Sequence, residues 1–132
     1  MTDWQPAFAI LLTQASGMSV IHETVFEDRF VYVTDLSKMG ADMELYENCL
    51  GSSYCRFNTR GNKHSAVIKG PTPLKGGEIA IPDLRAGFSH LIAAIIAEGR
   101  STIRGIEELD RGYEQIDVGL ERLGARIRRQ PE

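Results

Sequence analysis

Apolar positions along the chain fall into two kinds of run: long ones closed by glycine, and short ones set between turn residues. The stretch 4–16 (WQPAFAILLTQAS) is predicted to be a helix, with Asp3 as its cap, Pro6 in its first turn and Gly17 as its stop. The stretch 84–98 (LRAGFSHLIAAIIAE) reads the same way between Asp83 and Gly99. Leu84, Phe88, Leu91, Ile92, Ile95 and Ile96 mark one face of this second helix, and Ala86, Ala93, Ala94 and Ala97 leave most of its other faces apolar. A helix that is apolar nearly all round is expected to be buried. After each glycine comes a short strand-like run, 19–24 and 101–106, and then a second helix that should open near Asp28-Arg29 or Asp110-Arg111. Tyr113, Ile116, Leu120 and Leu123 recur at helical spacing, and Gly124 ends that pattern. Between the two sets lie four further strand-like pieces, at 42–46, 54–57, 65–69 and 78–81, bounded by Gly, Asn and Pro.

These runs form an internal repeat, about 3–46 and 83–129, in a chain expected to be a single partial domain over 1–132. Asp3 corresponds to Asp83, Phe8 to Phe88, Gly17 to Gly99 and Arg29 to Arg111. The unit is helix, strand, helix, strands. Buried helices beside strands with one polar face imply an α/β fold with sheets as the outer wall and helices packed inside. Two such units leave a third side open, and an uncovered apolar helix face is an association surface. A missing unit, a partner chain or self-association is expected there. The abrupt opening, with no strand before Asp3, also reads as the middle of a larger domain.

Charge changes this picture by exclusion. With 15 Lys+Arg against 18 Asp+Glu, the net charge of -3 argues against nucleic acid or an anionic membrane as a partner. The opening apolar run has no basic leader and is broken at Gln14, so no targeting or membrane segment is expected and a cytoplasmic location fits best. Cys49 and Cys55 form neither a CxxC nor a zinc spacing, and read as inert thiols of a reducing compartment. His22, His64 and His90 show no metal spacing either, so no metal and no cofactor are expected. Lys63, Lys69 and Lys75 match no phosphate loop. The basic cluster Arg122, Arg126, Arg128 and Arg129 reads as a solvated helix end.

Candidate chemistry sits at matching places in the two repeats. Arg29 and Arg111 each fall where a helix should open, and a cation there is opposed by the helix dipole. A bound anion would remove the conflict; a surface pair with Asp28 or Asp110 is the plainer alternative. Asp3 and Asp83 both suit ordinary helix caps.

The strings TVFEDRF (24–30), LKGGEIAIPDLRAG (74–87), IAEG (96–99), DRGYE (110–114) and LERLGARI (120–127) resemble the C-terminal third of the UDP-N-acetylglucosamine enolpyruvyl transferases. The resemblance covers nearly the whole chain except about 48–64. It implies an inside-out repeat fold, of which this chain would hold two of six units. It also implies transfer of the enolpyruvyl group from phosphoenolpyruvate to the 3-hydroxyl of UDP-N-acetylglucosamine, in peptidoglycan synthesis. Under it Asp3 takes the hydroxyl proton, Asp83 and Arg85 lie by the reacting centre, Arg29 and Arg111 hold the phosphoenolpyruvate carboxylate, and Val25 and Phe26 border the sugar. The family's nucleophile-like cysteine has no match in Cys49 or Cys55. Alone, such a part is expected to turn over negligibly, since the groups of both halves act as a unit. A related transferase acting on 3-phosphoshikimate, or a non-catalytic scaffold of the same fold, remains the alternative.

Overall fold

The computed structural model describes residues 2–51, 54–81 and 83–130; Met1, Ser52, Ser53, Pro82, Pro131 and Glu132, and with them part of the 48–64 stretch, lie outside the described residues. A 3₁₀ turn at Thr2–Trp4 leads into α1 (Gln5–Gln14), β1 (Gly17–His22), α2 (Val33–Lys38), β2 (Asp42–Tyr46) and β3 (Ser65–Gly70). Then follow β4 (Glu78–Ala80), α3 (Leu84–Ile96), β5 (Thr102–Arg104), α4 (Glu107–Asp110) and α5 (Ile116–Arg122). The first three strands form an antiparallel sheet in the order β1-β3-β2, and β4 pairs with β5 in parallel.

The main core lies between that sheet and the helices, and α1 packs on both β3 and α3. Ala9 and Ile10 of α1, Leu36 of α2, Ala66 and Ile68 of β3 and Ala93 of α3 are all closed to solvent. A smaller cluster of Ile81, Leu91 and Leu109 holds α4 beneath α3, with Phe88 and Tyr113 stacked at 5.1 Å. Two glycines allow this approach. A Cβ on Gly87 would stand 3.0 Å from the Leu109 side chain, and one on Gly112 would stand 2.6 Å from that of Leu84.

Several expectations change in detail. The run 54–57 is no strand: Tyr54 and Cys55 are irregular and a turn begins at Arg56, so the segment between β2 and β3 is a loop. The second helix of the first repeat opens at Val33 rather than near Asp28, because Asp28 takes a positive φ of 51° that no α-helix accommodates. In the second repeat the corresponding helix is split in two by Gln115, whose φ is 47°. The buried stripe of α3 is Ala86, Gly87, Ser89, His90, Leu91 and Ala93, whereas Ile95 and Ile96 are exposed. Small residues let the helix approach its neighbours closely, and the bulky Ile95 and Ile96 near its end are left to face outwards. Trp4, Phe8 and Leu11 on and before α1 are exposed as well. No helix among the described residues is long and apolar enough to cross a membrane.

Candidate active site

A cleft of about 660 Å³ opens where the two repeats face each other, lined by Phe26, Asp28, Arg29 and Tyr32 from the first and by Asp83, Arg85, Glu108 and Arg111 from the second. Its first wall is a tight turn built on Glu23, which is buried and accepts hydrogen bonds from the backbone N–H groups of Val25 (2.7 Å) and Phe26 (3.2 Å). Thr2 donates its hydroxyl to the other oxygen of the same carboxylate at 2.7 Å. The turn delivers Phe26 between two cations: the Arg29 guanidinium carbon lies 5.7 Å and that of Arg85 5.5 Å from the ring centroid, within cation–π range.

Arg29 is the buried cation of the site. One terminal nitrogen, Nη2, donates to the Thr2 carbonyl at 3.2 Å and to Asp3 Oδ1 at 3.1 Å. Its Nε–H is closed to solvent and finds no hydrogen-bond partner among the described residues. A buried donor left without an acceptor costs about 1–3 kcal/mol, more when the group is charged. Tyr32 stands alongside, its hydroxyl donating to Gln5 Oε1 at 2.9 Å. Burial, against the pull of the neighbouring Arg29 charge, pushes the Tyr32 phenol far above its ordinary range, so it stays protonated.

The second wall is more open. Asp83 caps α3 as expected, accepting from the N–H groups of Arg85 at 2.7 Å and Ala86 at 2.9 Å. Arg111 reaches both carboxylate oxygens of Glu108, at 3.2 and 3.1 Å, with its side chain largely in solvent. It closes the C-terminal end of α4 instead of opening a helix, so the dipole conflict expected from its sequence position does not arise. Arg29 likewise precedes α2 and pairs with Asp3, not with Asp28. Asp110 is occupied by Arg129, whose guanidinium also holds Asp117; it is therefore a fold-back latch and not a solvated tail charge. Those bonds from Arg129 hold both carboxyls below their ordinary value of 3.8.

Of the residues expected to carry chemistry, Phe26, Arg29, Asp83, Arg85 and Arg111 line the cleft. Asp3 joins it only through Arg29; it lies in the 3₁₀ turn and caps nothing, for α1 starts after Trp4 with no side-chain cap. Val25 is exposed beside the cleft and is not among its lining residues. Glu23 and Glu108 were missed in the sequence. Asp28 followed by Arg29 drew attention to the neighbouring charges, and only the fold shows which acids organise the turn and hold Arg111.

One cluster of cysteines and histidines was not visible from local spacing. His22, Cys49, Cys55 and His64 come together so that their ligand atoms all lie within 4.8 Å of one another. None of the four lines the cleft. Ligand spacing along the sequence missed this because the four are drawn from the end of β1, the loop after β2 and the residue just before β3. His90 is buried on α3 between the Ala86 carbonyl (2.7 Å) and Asp35 (3.2 Å), a packing role.

Comparison with known proteins agrees with this architecture. The sequence profile of the EPSP synthase (3-phosphoshikimate 1-carboxyvinyltransferase) family matches residues 1–120. The chain is 54% identical over 127 residues to the UDP-N-acetylglucosamine 1-carboxyvinyltransferase of Protochlamydia amoebophila, covering 96% of this chain and 27% of that enzyme. It is 55% identical over 128 residues to the enzyme of the same name from Chlamydia muridarum, covering 96% of this chain and 29% of that one. Among solved structures, the enolpyruvyl transferase NikO from Streptomyces tendae superposes with a TM-score of 0.78 at 31% identity, across 97% of this chain and 26% of NikO. The chain thus spans between a quarter and a third of the length of the relatives it matches.

Proposed function

Because the chain belongs to the EPSP synthase family, we propose that it supplies the C-terminal part of a UDP-N-acetylglucosamine 1-carboxyvinyltransferase acting in cytoplasmic peptidoglycan synthesis. In this reading the acceptor's 3-hydroxyl oxygen adds to C2 of phosphoenolpyruvate as C3 gains a proton and Asp3 receives the hydroxyl proton; C3 then loses a proton, the C2–O bond to the phosphoryl group breaks, and inorganic phosphate leaves. The single observation that carries the reading is Arg29: a buried guanidinium on the cleft wall with one N–H lacking an acceptor. A planar carboxylate suits such a donor because arginine presents its hydrogens as a fixed fork.

Arg111 and Arg85 add positive charge on the opposite wall. Arg111 can exchange its Glu108 partner for a substrate carboxylate as the cleft closes. Asp83, fixed by its two cap hydrogen bonds, holds a charge of known orientation beside the reacting centre, which is how preorganised groups lower a barrier. Phe26, flanked by two cations, offers a flat apolar edge to the sugar, with Val25 next to it. The exposed apolar residues of α1 and α3 fit a surface met by the rest of the enzyme, and the phosphate end of phosphoenolpyruvate needs groups from there.

The test is phosphate release by this chain mixed with a separately expressed N-terminal portion of a homologous enzyme. Release with phosphoenolpyruvate and UDP-N-acetylglucosamine, in the mixture alone, supports the reading. Release only with 3-phosphoshikimate would transfer the chain to the other acceptor, and a mixture inert with both acceptors would count against the reading altogether.

A further inference from the structure

The loop between β2 and β3 brings four side chains of metal-binding type to one end of the three-stranded sheet. His22 ends β1, where it pairs with Ser65 in the first position of β3. His64 precedes that position, with its N–H bonded to the Tyr46 carbonyl at the end of β2 and its own carbonyl accepting from the Glu23 N–H. Cys49 and Cys55 follow β2 in the loop, and Ser65 ties the loop down by donating to the Asn48 carbonyl at 2.8 Å.

The details are those of a prepared site. His64 is buried, and its Nδ1 donates to the Asn62 carbonyl at 2.8 Å, which leaves the Nε2 lone pair directed at Cys49 Sγ, 3.4 Å away. Fixing one ring nitrogen on a backbone carbonyl is how ligand histidines are oriented. His22 Nε2 is shielded from solvent and has no partner among the described residues. Backbone N–H groups point at both sulfurs: Cys55 N–H at Cys49 Sγ (3.3 Å) and Phe57 N–H at Cys55 Sγ (3.4 Å). The two sulfurs are 3.6 Å apart, well beyond the roughly 2.05 Å of a disulfide.

Bond lengths of about 2.3 Å to sulfur and 2.0 Å to nitrogen set tetrahedral edges of roughly 3.8 Å between sulfurs and 3.5 Å between sulfur and nitrogen. The observed 3.6 and 3.4 Å already match, and the widest pair, within 4.8 Å, has to close by up to roughly 1.5 Å. Two soft thiolates and two imidazoles in that arrangement select zinc among the divalent ions.

We propose that His22, Cys49, Cys55 and His64 form a structural zinc site that staples the loop between β2 and β3 to the end of the sheet. Binding turns two thiols into thiolates and releases two protons; with two neutral imidazoles, the resulting centre carries no net charge. All four positions are filled by protein, so the ion has no open position for substrate. The same loop braces the first wall of the cleft. Arg56 donates to the Val25 carbonyl, Arg60 pairs with Glu27 at 3.1 Å, and Asn62 reaches Asp28 at 3.5 Å. The ion therefore holds the loop that holds the Val25–Asp28 turn. The zinc proposal stands whatever acceptor the enzyme uses.

The experiment is metal analysis of the complete chain, expressed with zinc in the medium and purified under reducing conditions without chelator. About one zinc per chain is expected, falling below about a tenth in Cys49→Ser and in His22→Ala. Should those variants fold poorly, the unsubstituted chain still decides: stripped of metal and given Co²⁺, it should develop the intense visible absorption of tetrahedral thiolate-bound cobalt, bleached by one equivalent of zinc. Zinc should also raise its melting temperature by about 5 °C or more. Two results overturn the proposal: a reduced chain that retains no zinc and gives no cobalt absorption, or a chain isolated from cells with Cys49 and Cys55 already joined as a disulfide.

Discussion

Arg29 and Arg111 hold matching positions in the two repeats, yet 7% of the first side chain and 73% of the second are open to solvent. The first is gripped by Thr2 and Asp3 and stands over Phe26; the second leans on one surface carboxylate in its own turn of helix. The first repeat has a three-stranded sheet to build on, the second a parallel pair of three-residue strands. One cation is thus set in advance by folding and the other is left free to adjust.

The strongest way to break that contrast is to remove both guanidiniums in turn. Arg29→Ala should lower unfolding free energy by about 3 kcal/mol, through lost hydrogen bonds of a buried charge and lost packing. Arg111→Ala should change it by no more than about 0.5 kcal/mol, as exposed pairs do. Denaturant melts of the two variants check this, and equal losses would erase the distinction. Next in size, Gly112→Val should cost about 1–3 kcal/mol by overpacking against Leu84. It should also displace Arg111, so that ligand affinity in the complemented enzyme falls while the first repeat keeps its hydrogen-exchange protection.

Asp83→Ala tests the cap of α3, which has no counterpart on α1. A loss of about 1 kcal/mol is expected in thermal melts, whereas Asp3→Ala should leave α1 intact. The smallest effect concerns pH. Arg129 depresses the folded pKa of Asp110 and Asp117, so their contribution is complete above the unfolded value near 3.8 and is lost as pH falls through the lower folded values. Proteolysis of the C-terminal segment with an acid-active protease should stay slow above the ordinary carboxyl value and quicken as the pH falls through the lower folded values, while Arg129→Gln should be cut quickly throughout.

The two long helices and the ends of the apolar runs were legible because glycine stops and apolar runs are local signals: Gly17, Gly99 and Gly124 all take positive φ just beyond the runs they close. Strand β2 and the start of β3 were equally plain. The family strings named the fold and brought five cleft-lining residues to notice. What stayed hidden depends on distant segments. Whether Asp3 caps a helix or grips Arg29 is decided by a turn more than twenty residues later. That Ile95 and Ile96 face outwards follows from the close approach allowed by Ala86, Gly87 and Ala93, which periodicity does not weigh. The four metal-type ligands come from three segments that only the β1-β3-β2 order unites.

Calorimetric titration of phosphoenolpyruvate into the complemented enzyme, with Arg29 intact and as Arg29→Lys, tests the account most directly. Lysine keeps the charge but loses the fork and the Nε–H. If that buried donor takes the substrate carboxylate, affinity should fall at least ten-fold, as expected for a charged hydrogen bond of about 1.5–3 kcal/mol. Unchanged affinity in Arg29→Lys would contradict the account, since charge alone would then suffice and the buried guanidinium would be only part of the wall.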